Sequence, residues 1–116
     1  MRDHNKLRAF ELADDIAVQI YQITKQYPKD ELYGLVSQMR RAAVSVPSNI
    51  VEGCARNSQS EYVRFLDIAF GSLRELHYQL KLSERLGFIN NKEIQSLIST
   101  ITEAEKVLNS LIRSLR

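Results

Sequence analysis

The residues of this chain with chemistry to offer are mostly arginines, and they fall into two groups. Arg40, Arg41 and Arg56 lie on or beside one stretch, Tyr33 to Arg56, together with Gln38, Asn49 and Glu52. Glu52 and Arg56 are four apart with the acid first, the favourable order for an ion pair along a helix. One reading makes Gln38, Arg41, Asn49 and Glu52 a structural polar network, around a proline or between subunits, because buried polar groups must be partnered. The sharper reading has Arg40, Arg41 and Arg56 presenting charge to phosphate. The second group is Arg74, Tyr78, Lys81 and Arg85, at steps of four, three and four. On a helix these share one face. Cations with an aromatic among them can follow an RNA backbone and stack a base. A short stripe of Lys and Arg is also the ordinary way for a helix to solvate its outer side.

Other chemistries find little support. His4 and His77 are distant in sequence, and Glu75 lies two residues from His77, on a different side of a helix. The Glu-x-x-His spacing of di-iron bundles is missing, so no metal is expected. Cys54 has no evident activating base and reads as a buried thiol. Gly34, Gly53, Gly71 and Gly87 are isolated and form no phosphate-cradling loop. No catalytic residue, cofactor or small-molecule substrate is expected.

The elements that position these residues are helical. Leu32, Leu35, Met39, Ala42, Val46 and Ile50 recur at steps of three and four, which sets them on one side of a helix from about residue 31 to 54. Pro47 falls inside it, removing one N–H and crowding the carbonyl four residues back. The pattern keeps phase across the proline, so a kinked continuation is expected in place of a break. Ser45, Ser48 and Asn49 are expected to satisfy the freed backbone groups, and Gly53 to signal the stop.

Three further helices follow from the same rhythm. The first, about 7–27, carries Phe10, Ala13, Ala17, Ile20, Thr24 and Tyr27 on one seam, with Ala9, Ile16 and Ile23 alongside, a stripe wide enough for two neighbours. Pro28 ends it. The third, about 59–86, opens on a capping box of Ser58 with Glu61 and closes at Gly87. Gly71-Ser72 within it suggests close helix approach. The fourth, about 91–115, opens on Asn90 with Glu93, a weaker box, and repeats Ile94, Leu97, Ile101, Ala104, Leu108, Leu111 and Leu115, widened by Ile98 and Ile112. Strand alternation and hairpin turns are absent. Four amphipathic helices with short connections predict an all-α, antiparallel up-down-up-down four-helix bundle in a single domain.

Composition agrees with a globular domain. The chain has 116 residues, 44% hydrophobic and 26% charged, and a formal net charge of +2. That charge does not announce a nucleic-acid binder; a local basic face would have to. One cysteine, no apolar N-terminal leader and no apolar run of about 18 residues lead us to expect a cytoplasmic protein without a membrane span.

One stretch carries a family resemblance: Tyr33-Gly34-Leu35, Ser37-Gln38-Met39-Arg40-Arg41-Ala42-Ala43-Val44-Ser45-Val46-Pro47-Ser48-Asn49-Ile50 and Glu52-Gly53. Arg64-Phe65-Leu66 with Ala69, Gly71 and Ser72, and Glu75-Leu76 with Gln79-Leu80, add to it. On these the chain resembles the four-helix-bundle proteins encoded in intervening sequences of bacterial 23S ribosomal RNA genes. It departs from that pattern at Val51, where alanine is usual, and at His77-Tyr78. The resemblance implies a bundle that assembles into a ring, typically a homopentamer, and implies no known reaction. A related group accompanies reverse transcriptases of diversity-generating retroelements and looks like basic rings that engage RNA, which makes RNA a partner by analogy. A protein-binding adaptor is the alternative. The aromatics Tyr21, Tyr27, Tyr33, Phe65 and Phe70 exceed what four narrow seams need, which independently favours self-association.

Overall fold

The structure, a computed structural model, describes residues 2–116. Among these residues there are four α-helices and no strand: α1 (Arg8–Thr24), α2 (Leu35–Cys54), α3 (Gln59–Arg85) and α4 (Asn91–Leu115). Single 3₁₀ turns at His4–Lys6 and Lys29–Glu31 precede α1 and α2. Contacts set the directions. Met39 near the start of α2 meets Ser83 near the end of α3, while Gly53 at the end of α2 lies against Tyr62 near the start of α3. Gln59 opens α3 beside Leu115 at the end of α4, and Arg40 reaches back to Thr24 at the end of α1. Neighbouring helices therefore run oppositely. Each packs on its sequence neighbour and α1 closes against α4. The long axis of 43 Å is about the length of α3 at ~1.5 Å per residue.

The apolar rhythm explains the core. Along the third helix Tyr62, Leu66, Ala69, Leu73, Leu76, Leu80 and Ser83, spaced by three and four residues, are all buried. Ile16, Ile20, Met39, Ile50, Leu73, Leu76, Ile101 and Leu108 are wholly enclosed, each stabilising the fold by about 1.5–3 kcal/mol through removal from water. On α4 the buried line drifts from Leu111, half-buried, to Ile112, because a 3.6-residue helix slides against a seven-residue repeat.

The ends of the elements required corrections. The first helix stops at Thr24, three residues short of Tyr27. The chain then leaves helical geometry ahead of Pro28, which disfavours the helical region for the residue before it. Tyr27 still enters the core and packs on Phe88, with ring centroids 5.6 Å apart. The second helix starts at Leu35, not residue 31. Gly34 takes φ −112 and ψ −111 as its cap, and the Glu31 carboxylate accepts the Leu35 N–H at 3.2 Å. Leu32 belongs to the preceding turn, outside the helical phase, and is 45% exposed instead of buried.

α2 continues without interruption through Pro47. Asn49 donates to the carbonyl of Ser45 at 2.8 Å and to its hydroxyl at 3.0 Å. It thus serves a different carbonyl from that of Ala43, which loses its donor to the proline. The expected roles of the glycines are also exchanged. Gly53 does not end α2; it is buried where a Cβ would come within 3.0 Å of the Phe65 Cβ. Gly71, expected at a close approach, faces open space. Gly87 has φ +80 and closes α3, with Phe88 N–H donating to the Ser83 carbonyl and Gly87 N–H to that of Glu84. The two capping boxes reverse in strength. Asn90 and Glu93 form the reciprocal pair, whereas Ser58 accepts from Glu61 N–H while the Glu61 carboxylate turns to Arg64.

Candidate nucleic-acid interface

The α3 stripe is divided by what α4 places opposite it. Arg74 donates to Glu105 Oε2 at 3.0 Å. The same oxygen bonds His77 Nδ1 at 2.9 Å. Glu105 is largely buried on α4, its side chain 10% exposed, while that of Arg74 is 60% exposed. The carboxylate therefore gathers a cation and an imidazole across the α3–α4 seam, which offsets its own desolvation. Arg74 is thereby neutralised and held along the bundle. Tyr78 is 65% exposed, and Lys81 and Arg85 are exposed with no ion pair among the described residues. These three form what remains of a basic, aromatic face.

The residues on α2 part company in the same way. Arg56 pairs with Glu52 at 2.8 Å and lies 5.0 Å over the Phe65 ring, closing the end of the helix instead of facing outward free. Arg40 donates to Thr24 Oγ1 at 3.0 Å and lies 4.8 Å over the Tyr21 ring. Arg41 is exposed. The expected network of Gln38, Arg41, Asn49 and Glu52 does not form within the chain. Gln38 and Arg41 are exposed, Glu52 is taken by Arg56, and Asn49 joins Ser45, whose hydroxyl meets that of Ser72 at 2.8 Å. Nearer partners satisfy Asn49 and Glu52 first, on α2 or just past its end, while Gln38 and Arg41 stay at the surface.

Sequence reasoning missed Glu105. The signal was present: Ile98, Glu105 and Ile112 are seven apart, so an acid occupies the middle of an apolar line. Among the described residues two buried groups stay without a partner, the Tyr27 hydroxyl and Gln79 Oε1. Ser83, beside Tyr27, spends its proton on the Gln79 carbonyl at 2.8 Å, and burial pushes the Tyr27 phenol up. Burial likewise raises Cys54, which sits against Tyr62, and leaves that thiol inert. Among the described residues no three His, Cys, Asp or Glu side chains gather as a metal site, and no helix is long and apolar enough to cross a membrane.

Comparison with known proteins agrees with this geometry. A solved structure from Bacteroides thetaiotaomicron, a protein with unknown function from the S23 ribosomal protein family, superposes with a TM-score of 0.83. It is 25% identical, over 90% of this chain and 95% of that one. No curated protein matches. The family model of the 23S rRNA-intervening sequence proteins matches residues 5–110. With the four helices in place and nearly the whole chain matched, the protein belongs to the 23S rRNA-intervening sequence protein family.

Proposed function

We propose that this protein is a non-enzymatic, self-associating helical scaffold that binds RNA through the outer face of α3. The observation that carries the reading is Tyr78, exposed on the same helix face as Lys81 and Arg85, one and two turns further on, two cations without a carboxylate partner. Cations free of counter-charge attract phosphate, and an exposed ring stacks an unpaired base by about 1–3 kcal/mol. The family's tie to intervening sequences of 23S rRNA supports a structured RNA as the ligand to test. Fluorescence anisotropy with a structured RNA at low salt tests this. Binding that falls about tenfold or more in the Tyr78→Ala, Lys81→Ala, Arg85→Ala variant supports it. Equal binding by the variant, or none by the intact oligomer, removes it.

Self-association draws on a different surface. Val44 and Val51 on α2 and Ile68 on α3 are exposed, and helical period puts them on the outward side of the α2–α3 pair. Gly71 nearby leaves room for another backbone to approach. A glycine inside an exposed helix costs about 1 kcal/mol relative to alanine, a cost that a subunit contact would justify. Light scattering at micromolar concentration is expected to give a multiple of 13.4 kDa, a pentamer if the ring of the family pattern holds. A monomer mass would remove this part.

A further inference from the structure

A hollow lies elsewhere, at the corner where α1 gives way to α2. Lys25, Tyr27, Lys29, Leu32, Val36 and Arg40 line a cavity of about 320 Å³. It continues past Leu32 and Arg40 into a shallower depression of about 410 Å³ beside Tyr21, Tyr33 and Arg41. The combined groove is within the range of sites that hold ligands.

Its charge is one-sided. Lys25, Lys29, Arg40 and Arg41 make no ion pair among the described residues. The nearby Glu31 carboxylate is turned onto the backbone of Leu35. Arg40 and Lys25 have a structural explanation, since both sit at the C-terminal end of α1, where helix carbonyls favour a cation. Lys29 and Arg41 have none. Between these cations lie exposed apolar surfaces: Leu32 is 45% exposed and Tyr33 93%.

The floor selects among anions. A nucleobase needs a free flat ring, and the inner hollow offers none: Tyr27 is turned onto Phe88, the Tyr21 ring is covered by Arg40, and the exposed Tyr33 lies only at the shallower outer part. Leu32 and Val36 are aliphatic and suit an apolar side chain better. We propose that this corner docks an acidic segment of a partner protein. One apolar side chain of that segment seats between Tyr27, Leu32 and Val36, and its carboxylates face Lys25, Lys29 and Arg41. The site is distinct from the α3 stripe, so it stands or falls apart from the RNA reading.

Selection of a displayed random peptide library on the folded oligomer tests it, followed by anisotropy with the winning peptide, labelled. Leu32→Asp and the double variant Lys25→Glu, Lys29→Glu change exposed side chains, and circular dichroism confirms their folding. Winners that combine an aliphatic or aromatic residue with at least two acids, and that lose about tenfold or more on both variants, are expected. Winners without acids, acidic winners indifferent to both variants, or no enrichment overturn the proposal. Oligouridylate that displaces the peptide, and itself weakens in the same variants, would reassign the groove to RNA and overturn it equally.

Discussion

The α3–α4 seam and the α1–α2 corner both present arginine and aromatic side chains, yet they differ in where the counter-charge lies. On the seam Arg74 and His77 converge on one largely buried carboxylate, Glu105. At the corner Lys25, Lys29 and Arg41 face a groove without a carboxylate in its lining, and Arg40 is held by a hydroxyl and a ring. A cation whose charge is met inside the chain serves the fold. One left unmet serves whatever comes from outside. Spacing along one helix cannot separate the two, because the deciding carboxylate belongs to another helix.

The strongest way to break this comparison is Glu105→Ala. Removing the shared acceptor leaves His77 half-buried without its partner and is expected to cost about 2 kcal/mol in urea unfolding. Glu52→Ala, at an exposed pair, should cost no more than about 0.5 kcal/mol; equal losses would erase the distinction. Next in size is the salt dependence of RNA binding. Lys81→Ala with Arg85→Ala should reduce the slope of log affinity against log salt by roughly 1–2, and Arg74→Ala by clearly less. If Arg74→Ala matches either single variant, its pairing with Glu105 does not withhold it from phosphate.

Smaller effects sharpen the picture at the corner. The Tyr27 hydroxyl is buried without a partner, so Tyr27→Phe should be neutral or stabilising by up to about 1 kcal/mol. Its phenol is raised by burial in the fold, so the folded state holds that proton more tightly than the unfolded one. The associated stability is intact below the unfolded value of about 10 and declines as pH climbs from there through the folded value. Tyr62 acts in the same direction. Tyr27→Phe should therefore flatten the alkaline limb of stability against pH, read by thermal melts; an unchanged limb would show that Tyr27 does not drive it. Gly71→Ala, with open space at its Cβ, should stabilise an isolated monomer by about 0.5–1 kcal/mol. Loss of the oligomer in that variant would locate a subunit contact there.

Much of the fold was legible because burial follows period. The seams of the third helix, and Ile94, Leu97, Ile101 and Leu108 of the fourth, are buried as their spacing requires. Misreadings gathered where local signals compete with tertiary partners. Leu32 kept the seam's spacing but fell in a turn, because Glu31 and Gly34 start the helix later. Gly53 looked like a stop and is a packing site against Tyr62 and Phe65. The candidate cations were found as residue types, and spacing alone found the Glu52–Arg56 pair; the fates of Arg74 and Arg40 were not legible, since Glu105 and Thr24, on other helices, decide them.

The sequence by itself determined four amphipathic helices, their order and their antiparallel closure, since apolar period and short connections are properties of the chain read along its length. Only the tertiary structure decided which charges are free. A carboxylate neutralises a guanidinium over about 3 Å of space, whatever the separation in sequence, and Arg74 and Glu105 meet across 31 residues. Coulombic pairing depends on distance in three dimensions, and that distance exists only once the helices have packed.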